Sequence, residues 1–285
     1  MPSLRDLRRR IRTVANTQKI TKAMELVAAS KLRRAQERMQ NARPYADELT
    51  GVMAQLMSRS SGRDHPFLAV RPVTRRCLVL VTSDRGLVGG LNSNSVRVAL
   101  RESVTGGVPT EVVTIGRRGR DTMRRMGRNL IADVSNYGDR PTLSTILPAI
   151  SVAMERYEKG ECDQVDLIYA RFISNGRQEA TLQRLLPVEP PADAAPTAAD
   201  FEYEPDSAEV LDALLPRYVE AQVYRAVLEN LASEQAARVM AMHNAAENAG
   251  EVIESLTLTA NKERQSSITT ELMEVVSGST ALDEA

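Results

Sequence analysis

Apolar residues recur at alternating steps of three and four from the start of the chain: Leu4, Leu7, Ile11 and Val14. This heptad spacing lines one stripe of a helix. The register passes through polar Gln18, Thr21 and Glu25, then resumes without a slip at Ala28, Leu32, Ala35, Met39, Ala42, Ala46, Leu49, Met53 and Leu56. One helix is therefore predicted from about residue 3 to 57, with Ser3 and Asp6 in capping-box spacing at its start. Pro44 costs roughly 3 kcal/mol in a helix interior. Because the register survives it, a kink is expected and not a break.

A second seam follows Pro205-Asp206-Ser207 and runs Leu211, Leu214, Tyr218, Ala221, Arg225, Leu228, Ala232, Gln235, Val239, Met242, Ala246, Ala249, Ile253, Leu256, Ala260. Only Arg225 and Gln235 in it are polar. A sustained 3.5-residue period implies left-handed coiling around a partner, and the partner of matching length is the first helix. The alternative, two ordinary amphipathic helices on a globular core, fits poorly with one register held for about fifty residues, since such helices average about 11 to 12. The chain's ends are thus expected to pair as an antiparallel coiled coil, with Leu4 near Ala260 and Leu56 near Leu211. Beyond Ala260 the seam stops. Ile268, Leu272 and Val275 fall in another register, as in a helix that has left its partner.

Between the two helices the period changes. CLVLVTS (Cys77 to Ser83) and TEVVTIG (Thr110 to Gly116) read as buried strands with a helix over 94–103 between them. Leu143 to Tyr157 reads as a helix, and QVDLIYARFIS and EATLQRLLPV as an antiparallel pair turning at Asn175-Gly176-Arg177. The expected fold class is α/β: a long antiparallel coiled coil from the terminal helices plus a Rossmann-like middle domain. The divisions are an N-terminal helix over 1–62, the α/β domain over 75–190, a linker over 191–206 and a C-terminal helix over 207–285.

The stretch VTSDRGLVGGLNSN after the first strand is crowded with glycine, as a phosphate-cradling turn is. Read from Gly86, however, the P-loop pattern meets Leu91 and Asn92 where Gly and Lys belong, and the dinucleotide fingerprint meets Val88 and Leu91. No nucleotide is expected there, and Asp84 and Arg85 read as turn residues. The chain has only two histidines, His65 in a linker and His243 on the second helix, so no catalytic site, metal site or cofactor is expected. Cys77 and Cys162 lie far apart in sequence without C-x-x-C spacing and read as free thiols. Lys plus Arg (37) equals Asp plus Glu (37), so no overall field draws the chain to nucleic acid or to an acidic membrane. The basic face LRDLRRRIR lacks interleaved aromatics and reads as a surface for an acidic protein partner. No run of about 18 apolar residues offers a membrane span, and the start reads as a helix in a mature protein.

LRDLRRRIRTVANTQKITKAMELVAASKLRRAQ, ENLASEQAARVMAMHNAAENAGEVIESL and RQSSITTELMEVVSG, together with DRGLVGGLN and QRLLPVE, closely resemble the gamma subunit of F-type ATP synthases. The resemblance implies a non-catalytic rotor shaft inside a ring of alpha and beta subunits, whose foot joins the epsilon subunit and the membrane c ring. It implies that the Rossmann-like domain holds no nucleotide, and that membrane contact comes only through partner subunits. By the same resemblance, Arg264 and Gln265 meet a loop of beta, Thr269, Glu271 and Glu274 lie in the segment tied to coupling, and Met24 faces the acidic lever of beta. Tyr203 and Glu204 approach the c ring. Val88, Ala260 and Glu263 depart from residues common in the family, which bears on the fine contacts of the upper shaft. The absence of a chloroplast-type dithiol insertion points to a bacterial or similar form, and the resemblance implies a peripheral location on the cytoplasmic face of the bacterial inner membrane. The rival expectation is a nucleotide-dependent enzyme with helical arms.

Overall fold

The structure, a computed structural model, describes residues 3–59, 65–189 and 206–283. Helix α1 spans Leu4–Arg59 and helix α5 spans Ser207–Asp283. Between them lie β1 (Arg76–Val81), α2 (Leu91–Glu102), β2 (Thr110–Ile115), α3 (Arg117–Arg125), β3 (Asn129–Val134), α4 (Leu143–Glu158), β4 (Gln164–Ser174) and β5 (Arg177–Leu186). α1 runs unbroken through Pro44. At its start the Ser3 hydroxyl accepts from the Asp6 amide at 3.2 Å and donates to the Asp6 carboxylate at 2.8 Å, so the capping spacing is used as expected. Two elements lack a sequence signal. The α3 run RRGRDTMRR has Met123 as its only large apolar residue, and β3 is a half-buried edge strand.

The chain divides into two compact units, Ala28–Arg238 and Met1–Val27 with Val239–Ala285. In the first, one five-stranded sheet has the order β3-β2-β1-β4-β5, parallel except for β5, which runs antiparallel to β4. Alternate residues of each strand face opposite sides. Leu78 and Leu80 of β1, Val112 of β2 and Ile168 of β4 meet Val96 and Ala99 of α2 and Met123 of α3. Val79, Val81, Val113, Ile115 and Leu167 face the other way, onto Ile146, Ile150 and Tyr157 of α4. That second core continues into α1 through Leu49, Met53 and Leu56 and into α5 through Leu211, Leu215, Val219 and Val223. Both faces of the sheet are covered, as the near-continuous apolar runs of parallel strands require.

Every seam position of α1 from Leu4 to Leu56 is buried or half-buried. The single seam expected for α5 is too narrow. From Ala226 to Ala236 all positions are buried, because this stretch has two partners: Ala35 of α1 packs on Leu231 and Ala232, while other faces meet the α/β domain. A one-partner coiled coil buries only its a and d positions. The thiols also sit closer than their sequence separation suggests. Cys77 and Cys162 are both free and buried, and the hydrogen-bonded Cys162 thiol, together with burial, pushes Cys77 well above the ordinary thiol value.

In the second unit the helices pair antiparallel. The Gln18 amide donates to the Ala246 carbonyl at 3.2 Å, and Glu25 meets His243 Nδ1 at 3.2 Å. An added Cβ on Gly250 would stand 3.1 Å from Gln18 Nε2, so the small residue there makes room for the polar seam of α1. Leu7, Met242, Ala246, Ala249 and Ala260 are buried.

Candidate functional site

The first candidate is the crevice that a doubly wound sheet opens where its strand order reverses. Here the chain moves from β1 outward to β2 and β3, then returns to β4 on the other side of β1. The side chains of the turn after β1 are bonded to one another. Ser83 N donates to Asn92 Oδ1 at 3.0 Å, Asn92 Nδ2 to Ser83 Oγ at 2.7 Å, and Ser83 Oγ to the Arg85 carbonyl at 2.6 Å. Asp84 accepts from the Arg117 amide at 2.9 Å and Thr82 Oγ1 from the Gly119 amide at 2.8 Å, so both hold the start of α3. Gly116 has φ 112°, and a Cβ there would lie 2.1 Å from the Thr82 carbonyl oxygen. Only glycine allows β2 to turn into α3 this close to β1.

The mouth of the crevice is filled from within. Val88 and Leu91 are buried against Ala170 of β4, with Ala237 of α5 over them. β4 outruns β1, whose last pairing is Leu80 with Ile168, so Ala170 has no β1 partner. α5 takes its place: Asn230 Oδ1 accepts from Ala170 N at 3.2 Å, and Ser233 Oγ donates to the Ala170 carbonyl at 2.8 Å. Arg238 Nη2 reaches Glu234 Oε1 at 2.6 Å and the Gly86 carbonyl at 3.4 Å, and Nη1 reaches Gln235 Oε1 at 2.9 Å. Burial raises the Glu234 carboxyl above its ordinary value while Arg238 pulls it back. Tyr137, buried with its hydroxyl on the Thr82 carbonyl at 2.7 Å, is pushed well up by burial and by the nearby Glu234 and Asp84. The helix is thus seated where a dinucleotide lies in other doubly wound folds. Sequence patterns of nucleotide motifs report only that the loop chemistry is missing. Nothing local in the sequence ties Asn230, Ser233 and Arg238 to Ala170 or Gly86.

The second candidate lies in the unit formed by Met1–Val27 with Val239–Ala285. Met24 is half-buried on α1. Beside it Lys22 Nζ pairs with Glu25 Oε2 at 3.0 Å, which holds the Glu25 carboxyl below its usual value. His243, half-exposed, bridges Glu25 and Glu247 at 3.2 and 3.3 Å. Arg264, Gln265, Thr269, Glu271 and Glu274 are all exposed on α5, and Thr269 Oγ1 donates to the Gln265 carbonyl at 2.9 Å. These residues form two groups. The pairing of Glu25 with His243 puts Met24 opposite the turn of Met242, roughly 30 Å along the helix from Arg264. Ile268, Leu272, Met273, Val275 and Val276 share the exposed stretch, at 50 to 70 % exposure. Tyr203 and Glu204 lie outside the described residues. Among the described residues no group of His, Cys, Asp and Glu has metal-site geometry, and no helix is long and apolar enough to cross a membrane.

These features define a class of protein in which paired terminal helices carry a doubly wound domain whose ligand crevice is filled by its own last helix. A family model described as ATP synthase matches residues 3–282. The chain is 48 % identical over 295 residues, covering all of both chains, to the ATP synthase gamma chain of Herpetosiphon aurantiacus. It is 45 % identical to that of Ralstonia nicotianae, covering 99 % of this chain and all of the relative. Among solved structures, the central stalk and c-ring structure of Tetrahymena thermophila mitochondrial ATP synthase contains a chain 27 % identical, with TM-score 0.63 over 79 % of this chain and 99 % of that one. A rotor structure of Euglena gracilis mitochondrial ATP synthase shares the fold at TM-score 0.68 and 19 % identity, over 93 % and 98 %. The chain belongs to the ATP synthase gamma chain family.

Proposed function

We propose that this chain is the central rotor stalk of an F-type ATP synthase and is itself non-catalytic. It turns within a ring of alpha and beta subunits, and its α/β foot joins the epsilon subunit and the membrane c ring. It couples ion flow through that ring to ATP synthesis or hydrolysis on the beta subunits. The observation that carries this reading is the exposed end of α5, where five large apolar side chains from Ile268 to Val276 stand in solvent beside Arg264 and Gln265. An apolar helical stripe of that kind needs a protein sleeve, and a ring of subunits supplies one. A rotor needs no reactive side chain; it works by presenting different faces to similar partners in turn.

Within this reading the helix over 1–62 and the helix over 207–285 are the shaft, and 75–190 is the foot. Arg264 and Gln265 meet a beta loop, Thr269, Glu271 and Glu274 set coupling, and Met24 faces the acidic lever of beta. Tyr203 and Glu204 approach the c ring. The protein is peripheral on the cytoplasmic face of the bacterial inner membrane, held there by its partners. The filled crevice favours this reading over an enzyme with helical arms. Affinity capture of the tagged full chain from native membranes tests it: alpha, beta, epsilon and c chains are expected, and recovery of an unrelated partner set or nucleic acid overturns it. ATPase activity of the purified chain alone would overturn the non-catalytic assignment.

A further inference from the structure

Between α2 and α3, beside the turn after β1, lies a cleft of about 630 Å³. Three guanidinium groups line it: Arg97 from α2 and Arg118 and Arg125 from α3. No carboxylate is among the described residues around it. Several other arginines of this domain are paired with carboxylates, Arg76 with Asp166 at 2.8 Å, Arg156 with Glu111 at 3.2 Å and Arg238 with Glu234 at 2.6 Å. Among the described residues Arg118 and Arg125 form no ion pair, and Arg97 has only the Asn94 amide oxygen at 3.5 Å. Three exposed like charges around one concavity make a positive patch that an anion would neutralise.

We propose that this cleft binds an oligophosphate anion, held by the forks of Arg97, Arg118 and Arg125 with the exposed Ser93 hydroxyl as a further donor. Guanidinium groups match phosphate oxygens in bidentate fashion, and the cleft is large enough to take a small ligand. Phosphate is recognised without a nucleoside. No aromatic side chain is among the described residues that line the cleft, so none is there to stack a base. Gly86 is part of the design. A Cβ at that position would stand 2.5 Å from Arg118 Nη2, so the missing side chain is what lets this guanidinium lie across the turn.

The test is calorimetric titration of sodium tripolyphosphate into the purified full chain at low and at physiological salt. Saturable single-site binding that weakens with salt is expected. Arg97→Gln, Arg118→Gln and Arg125→Gln should each weaken it about tenfold. Gly86→Ala should weaken it too, by moving Arg118, while the circular dichroism melt stays unchanged. Arg124→Gln, on the same helix but outside the cleft, should bind as the parent does. ATP should bind no more tightly than tripolyphosphate. Absence of saturable binding overturns the proposal, as does an equal loss in Arg124→Gln, which would mean diffuse attraction. ATP binding tenfold tighter than tripolyphosphate would make the cleft a nucleotide site. A poly-glutamate peptide that binds where tripolyphosphate does not would assign it to an acidic protein segment. The stalk reading stands or falls separately, on subunit capture.

Discussion

Two stretches of α5 invert the usual relation between polarity and burial. Residues 226–236, AVLENLASEQA, include Glu229, Asn230, Ser233, Glu234 and Gln235, and all are buried. Residues 264–277, RQSSITTELMEVVS, include Ile268, Leu272, Met273, Val275 and Val276, and all are exposed. Hydropathy alone would not assign them this way. Most polar groups of the first stretch have partners inside the chain: Arg225 with Glu229 at 3.2 Å, Ala170 with Asn230 and Ser233, and Arg238 with Glu234, while Glu229 Oε2 and Asn230 Nδ2 are buried without a hydrogen bond among the described residues. Buried polar groups are tolerated when they are satisfied. The second stretch keeps its apolar groups in solvent: Ile268, Leu272, Met273 and Val275 are each half or more exposed and belong to no apolar cluster among the described residues. A helix interior to the protein is thus made by its contacts, and a helix end without contacts marks where another molecule belongs.

Breaking the buried stretch should have the largest effect. Arg238→Ala leaves the Glu234 carboxylate buried without its cation, and removing one partner of such a pair costs about 3–5 kcal/mol. Denaturant unfolding of the isolated subunit should register that loss. Arg238→Ala with Glu234→Gln should recover part of it, because the charge that must be buried is gone; an equal loss in single and double variants would mean that the pair is not what holds this segment. Asn230→Ala is milder. It strands the Ala170 amide beyond the end of β1, a cost of about 2 kcal/mol, and faster hydrogen exchange at Ala170 should accompany it.

The contrast sharpens if the stability of the α/β domain is separated from that of α5, and Asp163 permits this. Its carboxylate, 7 % exposed, accepts from Thr74 Oγ1 at 2.6 Å, Thr74 N at 2.8 Å and Arg75 N at 2.9 Å. These bonds, the Thr74 hydroxyl first, hold its pKa below the ordinary aspartate value. The unfolded chain therefore takes up this proton at a higher pH than the folded one. The stabilisation is complete above the unfolded value near pH 4 and is lost as the pH falls through the depressed folded value. Asp163→Asn should cost about 1 kcal/mol at neutral pH and flatten the acid limb of the stability curve. An unchanged acid limb would remove Asp163 as its source.

Much of this arrangement was legible in the sequence. The α1 seam reads directly as burial because one helix face with one period leaves little ambiguity. β1, β2 and the β4–β5 pair were equally clear from their apolar runs. α3 was not, since its function in the fold is to present Gly119 and Met123 inward and arginines outward, which gives almost no apolar period. The clamp on Ala170 was hidden for a different reason: Asn230 and Ser233 are about sixty residues from their partner, and only the length of β4 beyond β1 shows that partners are needed. The arginine cleft depends likewise on the crossover that sets α2 beside α3.

The smallest effect on the isolated subunit is expected at the exposed stretch, where Arg264→Ala removes a guanidinium with no ion pair among the described residues. Surface substitutions of this kind stay within about 0.5 kcal/mol, so the unfolding curve should be unchanged. In the assembled synthase the outcome differs. If the guanidinium makes charge-assisted bonds to a beta carboxylate at one stage of the cycle, its loss slows turnover while assembly and the fold persist. Hydrogen exchange locates the boundary. From 211 to 256 α5 packs against α1 or the α/β domain and should be protected before and after assembly, whereas residues past Ala260, the last buried position among the described residues, should exchange freely alone and become protected in the complex. A single helix with no tertiary partner frays readily, which is why the contrast should be large. Equal protection on either side of Ala260 in the isolated chain would mean that the stretch has an internal partner, and an unchanged turnover in Arg264→Ala would remove that residue from the rotor's contact with beta.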